Sequence, residues 1–277
     1  MKSNISKTLR HLALLGLATS AANAAILFDD FSVDSSASYN QTRDPLTYDG
    51  VGLGVGGVAG RYATPLAGNL NYAAANTNSF GSFNDELEYT ASVYFLTTST
   101  LGTIGGTNLA GVGITRDNTQ LFDGGAIGQI YVEARTTNSG PADSTTQRQA
   151  NLRLRNNDSS ASQQLSSTFD LLANNWYEIS LTVASLGSNQ YSVSSEIFAW
   201  GTDGVTGGLS IGSTSPFTFT NDQIAESDAL FAGLRGRGVN DEGTVALDNL
   251  TVVPEPSAGA IWLGLFSVTF LLARRRR

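Results

Sequence analysis

The chain has 277 residues, a sequence pI of about 4.6 and no cysteine, so its fold rests on its core rather than on disulfides. Its only lysines, Lys2 and Lys7, and its only histidine, His11, lie at the extreme N-terminus. Between Ala25 and Pro256, nine arginines oppose all 24 acids, a net charge of −15. That balance excludes a general nucleic-acid binder and disfavours anionic lipid surfaces.

Lys2, Lys7 and Arg10 precede a short apolar run, Leu12 to Ala22, and Ala22-Asn23-Ala24 fits the small-x-small rule of a signal-peptidase site. The run is too short for a membrane helix and lacks a stop-transfer flank. Residues 1–24 therefore read as a signal peptide, signal peptidase as a partner, and the following chain as exported. Beyond that point the sequence has no His, Cys or Lys. A Ser-His-Asp triad, a Cys-His pair, a histidine zinc site, Schiff-base chemistry and a phosphate-loop lysine are all excluded.

The exported body, 25–253, is long enough for one sizeable core and is studded with period-2 runs. Leu87, Tyr89, Ala91, Val93 and Phe95 alternate with polar residues. So do Tyr177, Ile179, Leu181 and Val183, then, after the turn Leu186 to Asn189, Tyr191, Val193 and Ile197. Further strands are expected at 26–33, 109–115, 127–135, 151–155, 209–212, 216–220, 229–235 and 244–253. No helical period lasts three turns, and no repeat of fixed length is present. The expectation is an all-β, antiparallel two-sheet jelly-roll sandwich. Gly50 to Gly60 reads as a loose strand or a close backbone approach. Thr136 to Gln149 reads as a long exposed loop, and Asn156 to Ser167 as the closure of a hairpin begun by Leu152 and Leu154. In the last strand Val245 and Leu247 are apolar on odd positions but Leu250 and Val252 on even ones. A β-bulge near Asp248-Asn249 is expected, with the first and last strands adjacent.

Carboxylates, hard cations and sugars remain as chemistry for the body. Asp85, Glu86 and Glu88 are the candidates for a glycosidase pair, against a solvated acidic face at a strand entrance. Calcium needs six to eight oxygens, which carboxylates and carbonyls of the loops between strands supply, with Asn240-Asp241-Glu242 and Asp117-Asn118 as loose candidates; Asp248 and Asn249 would otherwise cap their own backbone. For sugars, Trp200 is expected at a rim beside Gly201 to Gly204, whereas Trp176 belongs to the core. Arg153 and Arg155 share a strand face, where they would bind acidic sugars or pair with nearby acids.

The chain ends with Pro254-Glu255-Pro256, an uncharged apolar run over 257–273, and Arg274, Arg275, Arg276 and Arg277. As a helix that run would rise roughly 25 Å, just short of a bilayer core, with the arginines as a positive-inside stop. This tail resembles the PEP-CTERM sorting signal of bacterial envelope proteins. The resemblance implies a C-terminal transmembrane helix, an exosortase-type enzyme as partner, anchoring in the cytoplasmic membrane, then residence at the cell surface or in the extracellular matrix.

Asn175 to Leu181, Asp203-Gly204 and Ala246 to Leu250 resemble concanavalin-type and laminin-G-like jelly rolls. Many such carbohydrate-binding domains hold a structural calcium between the first strand and an Asp of the last, which Asp29 or Asp30 and Asp248 match. One jelly-roll glycosidase family carries Glu-x-Asp-x-x-Glu. Here Glu88 stands at its Asp and Ala91 at its second Glu, so one working carboxylate is missing. The expected function is a non-catalytic structural or exopolysaccharide-associated surface component. The alternatives are a lectin-like module with calcium, or a carboxylate glycosidase.

Overall fold

The computed structural model describes residues 27–64, 69–85, 87–101, 104–119, 121–122, 128–138, 145–157, 162–239 and 242–254. The expected signal peptide with Ala22 and Ala24, Glu86, the pair Asn240-Asp241, and the tail from Glu255 through Pro256 to Arg277 lie outside these residues. Among the described residues the helical pieces are two single 3-10 turns, Ser36–Ser38 and Val55–Gly57, and no helix is long and apolar enough to cross a membrane.

The strands are β1 (Leu27–Asp29), β2 (Tyr39–Gln41), β3 (Thr47–Tyr48), β4 (Tyr62–Ala63), β5 (Asn69–Asn76), β6 (Glu88–Thr97), β7 (Asn108–Thr115) and β8 (Gln129–Thr136). They continue as β9 (Gln147–Asn157), β10 (Ser162–Leu165), β11 (Phe169–Leu172), β12 (Trp176–Gly187), β13 (Gln190–Ala199), β14 (Leu209–Thr220), β15 (Phe231–Val239) and β16 (Glu242–Pro254). One sheet runs β16-β6-β12-β13-β14, with β1 and β4 both paired to the free side of β16 and β3 on β4. The other runs β2-β5-β15-β7-β8-β9, with β10 and β11 end to end along β9. The named strand pairs are all antiparallel. The tight β15–β16 hairpin carries the chain from one sheet to the other.

Alternation decides what faces inward. Tyr89, Ala91, Val93 and Phe95 of β6, Ile179, Leu181 and Val183 of β12, and Leu152 and Leu154 of β9 enter one continuous core. Phe95 stacks on Tyr177, its register partner, with ring centroids 5.4 Å apart. Burial of this apolar surface is the main favourable term in folding. The β12–β13 turn has positive φ at both Ser188 (55°) and Asn189 (60°), the primed-turn geometry that matches strand twist.

The expected bulge is present: the β16–β6 register shifts between Asp248 and Thr251, and Asn249 adopts φ 49°. Leu27 pairs with Val252, so the first and last strands are adjacent as expected. Gly50 to Gly60 is the close approach rather than a strand. It forms a loop in which a side chain at Gly54 would collide with the Asp248 carboxylate. The two strands expected at 209–212 and 216–220 are one, β14. Pro216 sits where the register to β13 shifts, on the sheet's outer edge, where a missing N–H is tolerated. Of the stretch expected as an exposed loop, Thr136 and Gln147 to Gln149 belong to strands instead. The polar segment after Asn156 contains β10, whose pairing with β9 closes the expected hairpin.

Asn tolerates the left-handed region better than branched residues do. Asn249→Val should lower the unfolding free energy by about 1–2 kcal/mol, with Asn249→Gly nearly neutral, as read by urea denaturation.

Candidate functional site: an arginine-lined sheet face

Three strands of the second sheet carry charge on one parity. Val132, Ala134, Leu152, Leu154 and Leu234 point into the core, which forces Tyr131, Glu133, Arg135, Asn151, Arg153, Arg155, Arg235 and Arg237 to the outer face. Register then aligns them. Arg155 lies opposite Tyr131, Arg153 opposite Glu133 and Asn151 opposite Arg135. On the other side of β7, Gly111 is register partner to both Glu133 and Arg235.

That glycine decides the geometry. A Cβ at Gly111 would lie 2.6 Å from the Val132 carbonyl oxygen and 3.3 Å from Glu133 Cγ. Without one, Arg235 reaches across β7 and its Nη1 donates to Glu133 Oε1. Arg153 donates to Glu133 Oε2 from Nε at 3.2 Å and from Nη2 at 2.6 Å. The fully buried carboxylate is thus held between two guanidinium groups. Asn71 accepts from Arg235 Nε at 2.8 Å, and Asn108 accepts from Arg153 Nη2 at 2.9 Å. Burial pulls the Arg235 pKa down to about 10, which leaves it a cation at neutral pH.

Beside this triad, Leu121 and Phe122 fold onto the sheet with Tyr131, Ala73 and Ala75. Phe122 lies edge-on to Tyr131 with centroids 5.0 Å apart, under the Arg235 guanidinium at 5.9 Å. Arg155 sits 5.8 Å from the Tyr131 ring centroid. On the other flank, Gly106, Arg135, Thr136, Thr137, Asn138 and Asn151 line an open cleft of about 200 Å³. Arg135 Nε donates to the Gly106 carbonyl at 3.2 Å. Burial lowers the Arg135 pKa, and the like charges of Arg153 and Arg155 lower it further. The buried Asn151 Oδ1 and Arg155 Nε have no hydrogen-bond partner among the described residues. Among the described residues, the acids on or bordering this face include the enclosed Glu133, Asp44, which accepts from Asn71 N at 2.8 Å, and, by register at its borders, Asp170 and Glu242.

Of the residues expected to bind ligand, Arg153 and Arg155 do share this face, but Arg153 is held by Glu133. Trp200 lies apart from them, on the outer face of the first sheet. It is half-buried, donates to Glu178 Oε2 at 3.1 Å, and packs 5.9 Å from Tyr94. Trp176 is buried, but it shares the outward parity of Glu178 and Ser180 on β12 and is covered by the turn at Gly204 rather than belonging to the core between the sheets. Glu133, Arg135, Arg235 and Arg237 escaped the sequence reading. Glu133-Ala134-Arg135 and Arg235-Gly236-Arg237 carried the signal in their period-2 charge.

The calcium expectation does not fit the side chains as placed. Asp248 Oδ2 accepts from Val55 N at 2.6 Å and its Oδ1 from Asn249 N at 2.9 Å. Asp29 accepts from Phe31 N and Tyr39 Oη, and Asp30 from Ser32 N. Each carboxylate caps backbone or meets a phenol, and among the described residues no three His, Cys, Asp or Glu converge on a cation position. Burial pushes the Asp248 carboxyl up to about 6, and the nearby Asp30 and Asp29 push the same way, against the hydrogen bonds from Val55 and Asn249.

No family model and no curated protein matches this sequence. Solved structures do match in fold. Lectin II from Ulex europaeus superposes with a TM-score of 0.50 at 13% identity, over 82% of this chain and 96% of that one. The globular domain of T. cruzi calreticulin gives 0.48 at 8% identity, over 87% and 92%. The Lotus tetragonolobus seed lectin gives 0.47 at 10%, over 83% and 99%. The fold is a concanavalin-like, legume-lectin-like β-sandwich. At these identities the likeness establishes the architecture alone, and function has to be argued from the site.

Two outcomes follow from the buried carboxylates. Glu133→Gln leaves Arg235 and Arg153 without their counter-charge and should lower stability by about 3 kcal/mol in chemical denaturation. Asp248 has a folded pKa above its unfolded value, so its contribution is full below about pH 4 and is lost as pH rises through 6. Between pH 4 and 7.5 the wild type should lose about 2–3 kcal/mol relative to Asp248→Asn, measured as the difference between their stability–pH curves.

Proposed function

We propose that this chain is an exported cell-envelope protein, sorted through its C-terminal tail, whose β-sandwich associates with extracellular polysaccharide without transforming it. The observation that carries the reading is the outer face of the second sheet, where guanidinium groups and the amides of Asn71, Asn108 and Asn151 gather on a rigid strand scaffold. Polar donors and acceptors of this kind, beside aromatic rings, suit a polyhydroxylated chain. Supporting it are the signal sequence ending at Ala22-Asn23-Ala24 and the Pro254-Glu255-Pro256, apolar and Arg274–Arg277 series, which together direct export, membrane anchoring and processing by an exosortase-type enzyme.

A glycosidase is less well supported. Glu88 faces outward on β6, whereas Ala91 is buried on the opposite face. The two positions of the glycosidase pattern therefore lie on different sides of the sheet here. Asp85 is held in an exposed turn, accepting from Ser82 N at 2.9 Å and Ser82 Oγ at 2.7 Å, the solvated role expected of it.

Expression of the full chain in an exosortase-bearing host tests the sorting. The mature protein should begin at Ala25, and truncation after Val253 should divert it from the envelope to the medium. A product that still begins at Met1 overturns the export reading. Retention on envelope polysaccharide, with no release of sugars and no change in Glu88→Gln, tests the association.

A further inference from the structure

We infer that the polysaccharide held by this face is acidic, its carboxylate groups received by Arg135 and Arg155 while Arg153 and Arg235 serve as scaffold. The inference rests on the polysaccharide reading above and names its ligand class.

Charge segregation is the first ground. Five of the body's nine arginines stand on one sheet face of a segment whose net charge is −15. Glu133 compensates one positive charge and is enclosed between the two arginines that hold it. The cations on either side of that triad are left close enough to perturb one another, as Arg153 and Arg155 do Arg135. An incoming anion relieves that repulsion.

The second ground is unsatisfied hydrogen-bonding capacity. Among the described residues, the buried Asn151 Oδ1 at the Arg135 cleft has no partner, and neither has the buried Arg155 Nε outside that cleft, further along β9. A buried polar atom left without a partner is unfavourable by about 1–3 kcal/mol, so both favour a ligand that brings a hydroxyl and a carboxylate. The guanidinium fork matches a carboxylate in bidentate fashion.

Spacing favours a polymer. Asn151, opposite Arg135, and Arg155 are four residues apart on β9, roughly 13 Å along the strand, with the Arg153–Glu133 pair between them. Two anion positions at that separation suit a repeating chain better than one small anion. Duplex DNA, with a charge about every 1.7 Å, would also meet the repulsion of the rest of this acidic body.

Binding of the detergent-solubilised full-length chain to polygalacturonate, dextran and duplex DNA of similar length tests the inference. Polygalacturonate should bind and weaken on raising NaCl from 0.1 to 0.5 M. Arg135→Gln and Arg155→Gln should each weaken it about tenfold with an unchanged thermal midpoint, and Arg155→Lys should weaken it less. Arg135→Lys and Arg155→Lys, which keep the charge and lose the fork, replace whichever of these fails to fold. Arg61→Gln, at a site paired with Asp49 away from this face, should bind like wild type. Salt-insensitive binding of dextran in place of polygalacturonate overturns the acidic class while leaving polysaccharide association intact. Binding of neither polysaccharide overturns both. Equal binding of DNA overturns the assignment to a glycan.

Discussion

The interaction on which the outer face of the second sheet depends is the carboxylate of Glu133, buried between Arg153 and Arg235. A buried ion pair is weak ground for stability in itself, because desolvation offsets much of the attraction. Its effect here is on arrangement. Arg153 is on the neighbouring strand and Arg235 is two strands away in the opposite direction, so one carboxylate ties β9, β8 and β15 together across β7. A slip of one residue in any of these strands would turn its charged side chain into the core. The triad therefore specifies register in a sheet whose inner face, rich in interchangeable Val, Leu and Ala, does so less sharply.

The same economy of side chains is visible on both outer faces. Gly111 lets Arg235 reach Glu133, and at Gly113 a Cβ would lie 2.6 Å from Tyr131 Cβ, so small residues make the floor on which Leu121 and Phe122 rest. On the first sheet, Gly54 lets the 3-10 turn Val55–Gly57 settle over the β16 bulge, where Val55 N meets Asp248. In each case a loop is drawn down onto a sheet by the lack of a side chain, and a buried carboxylate lies at its margin. The difference is in compensation. Glu133 has two cations, whereas Asp248 has backbone N–H groups and two acidic neighbours, which is why its proton is held to a higher pH.

Much of the fold was legible because one face of each long strand is buried and the other is wet. β6, β12, β13 and the bulge in β16 all declared themselves by parity. β5 did not, since Ala73, Ala74 and Ala75 are all buried, sandwiched between the core and the Leu121–Phe122 cover, and a strand with two apolar faces has no alternation to read. β2, β3 and β4 are two or three residues each and exist only through their partners. The site was half legible. Arg153 and Arg155 could be placed on one face from β9 alone, but their meeting with Glu133 and Arg235 is a matter of strand order, which the spacing along the chain does not encode. The calcium trio, as its side chains stand, is occupied otherwise for a related reason. Adjacency of the first and last strands was read correctly, yet the carboxylates are turned to nearby N–H groups and a phenol that a list of acids does not show.

Net charge is where sequence and structure part most instructively. A body at −15 reads as a surface that repels anions, and averaged over all directions it is one. Alternation, however, sorts charge by parity, and antiparallel pairing then stacks equal parities from strands remote in sequence. Arg135, Arg153 and Arg155 reach the same face as Arg235 and Arg237 because all five occupy odd positions in strands whose central even positions, Val132, Ala134, Leu152, Leu154 and Leu234, enter the core. The field near that face is set by these local charges within about a Debye length, roughly 8–10 Å at ordinary ionic strength, and the acids elsewhere are largely screened beyond it. An acidic protein can thus present a basic strip to a ligand that touches it while still keeping dense polyanions at a distance. Selectivity by charge density follows from geometry, with no change in composition.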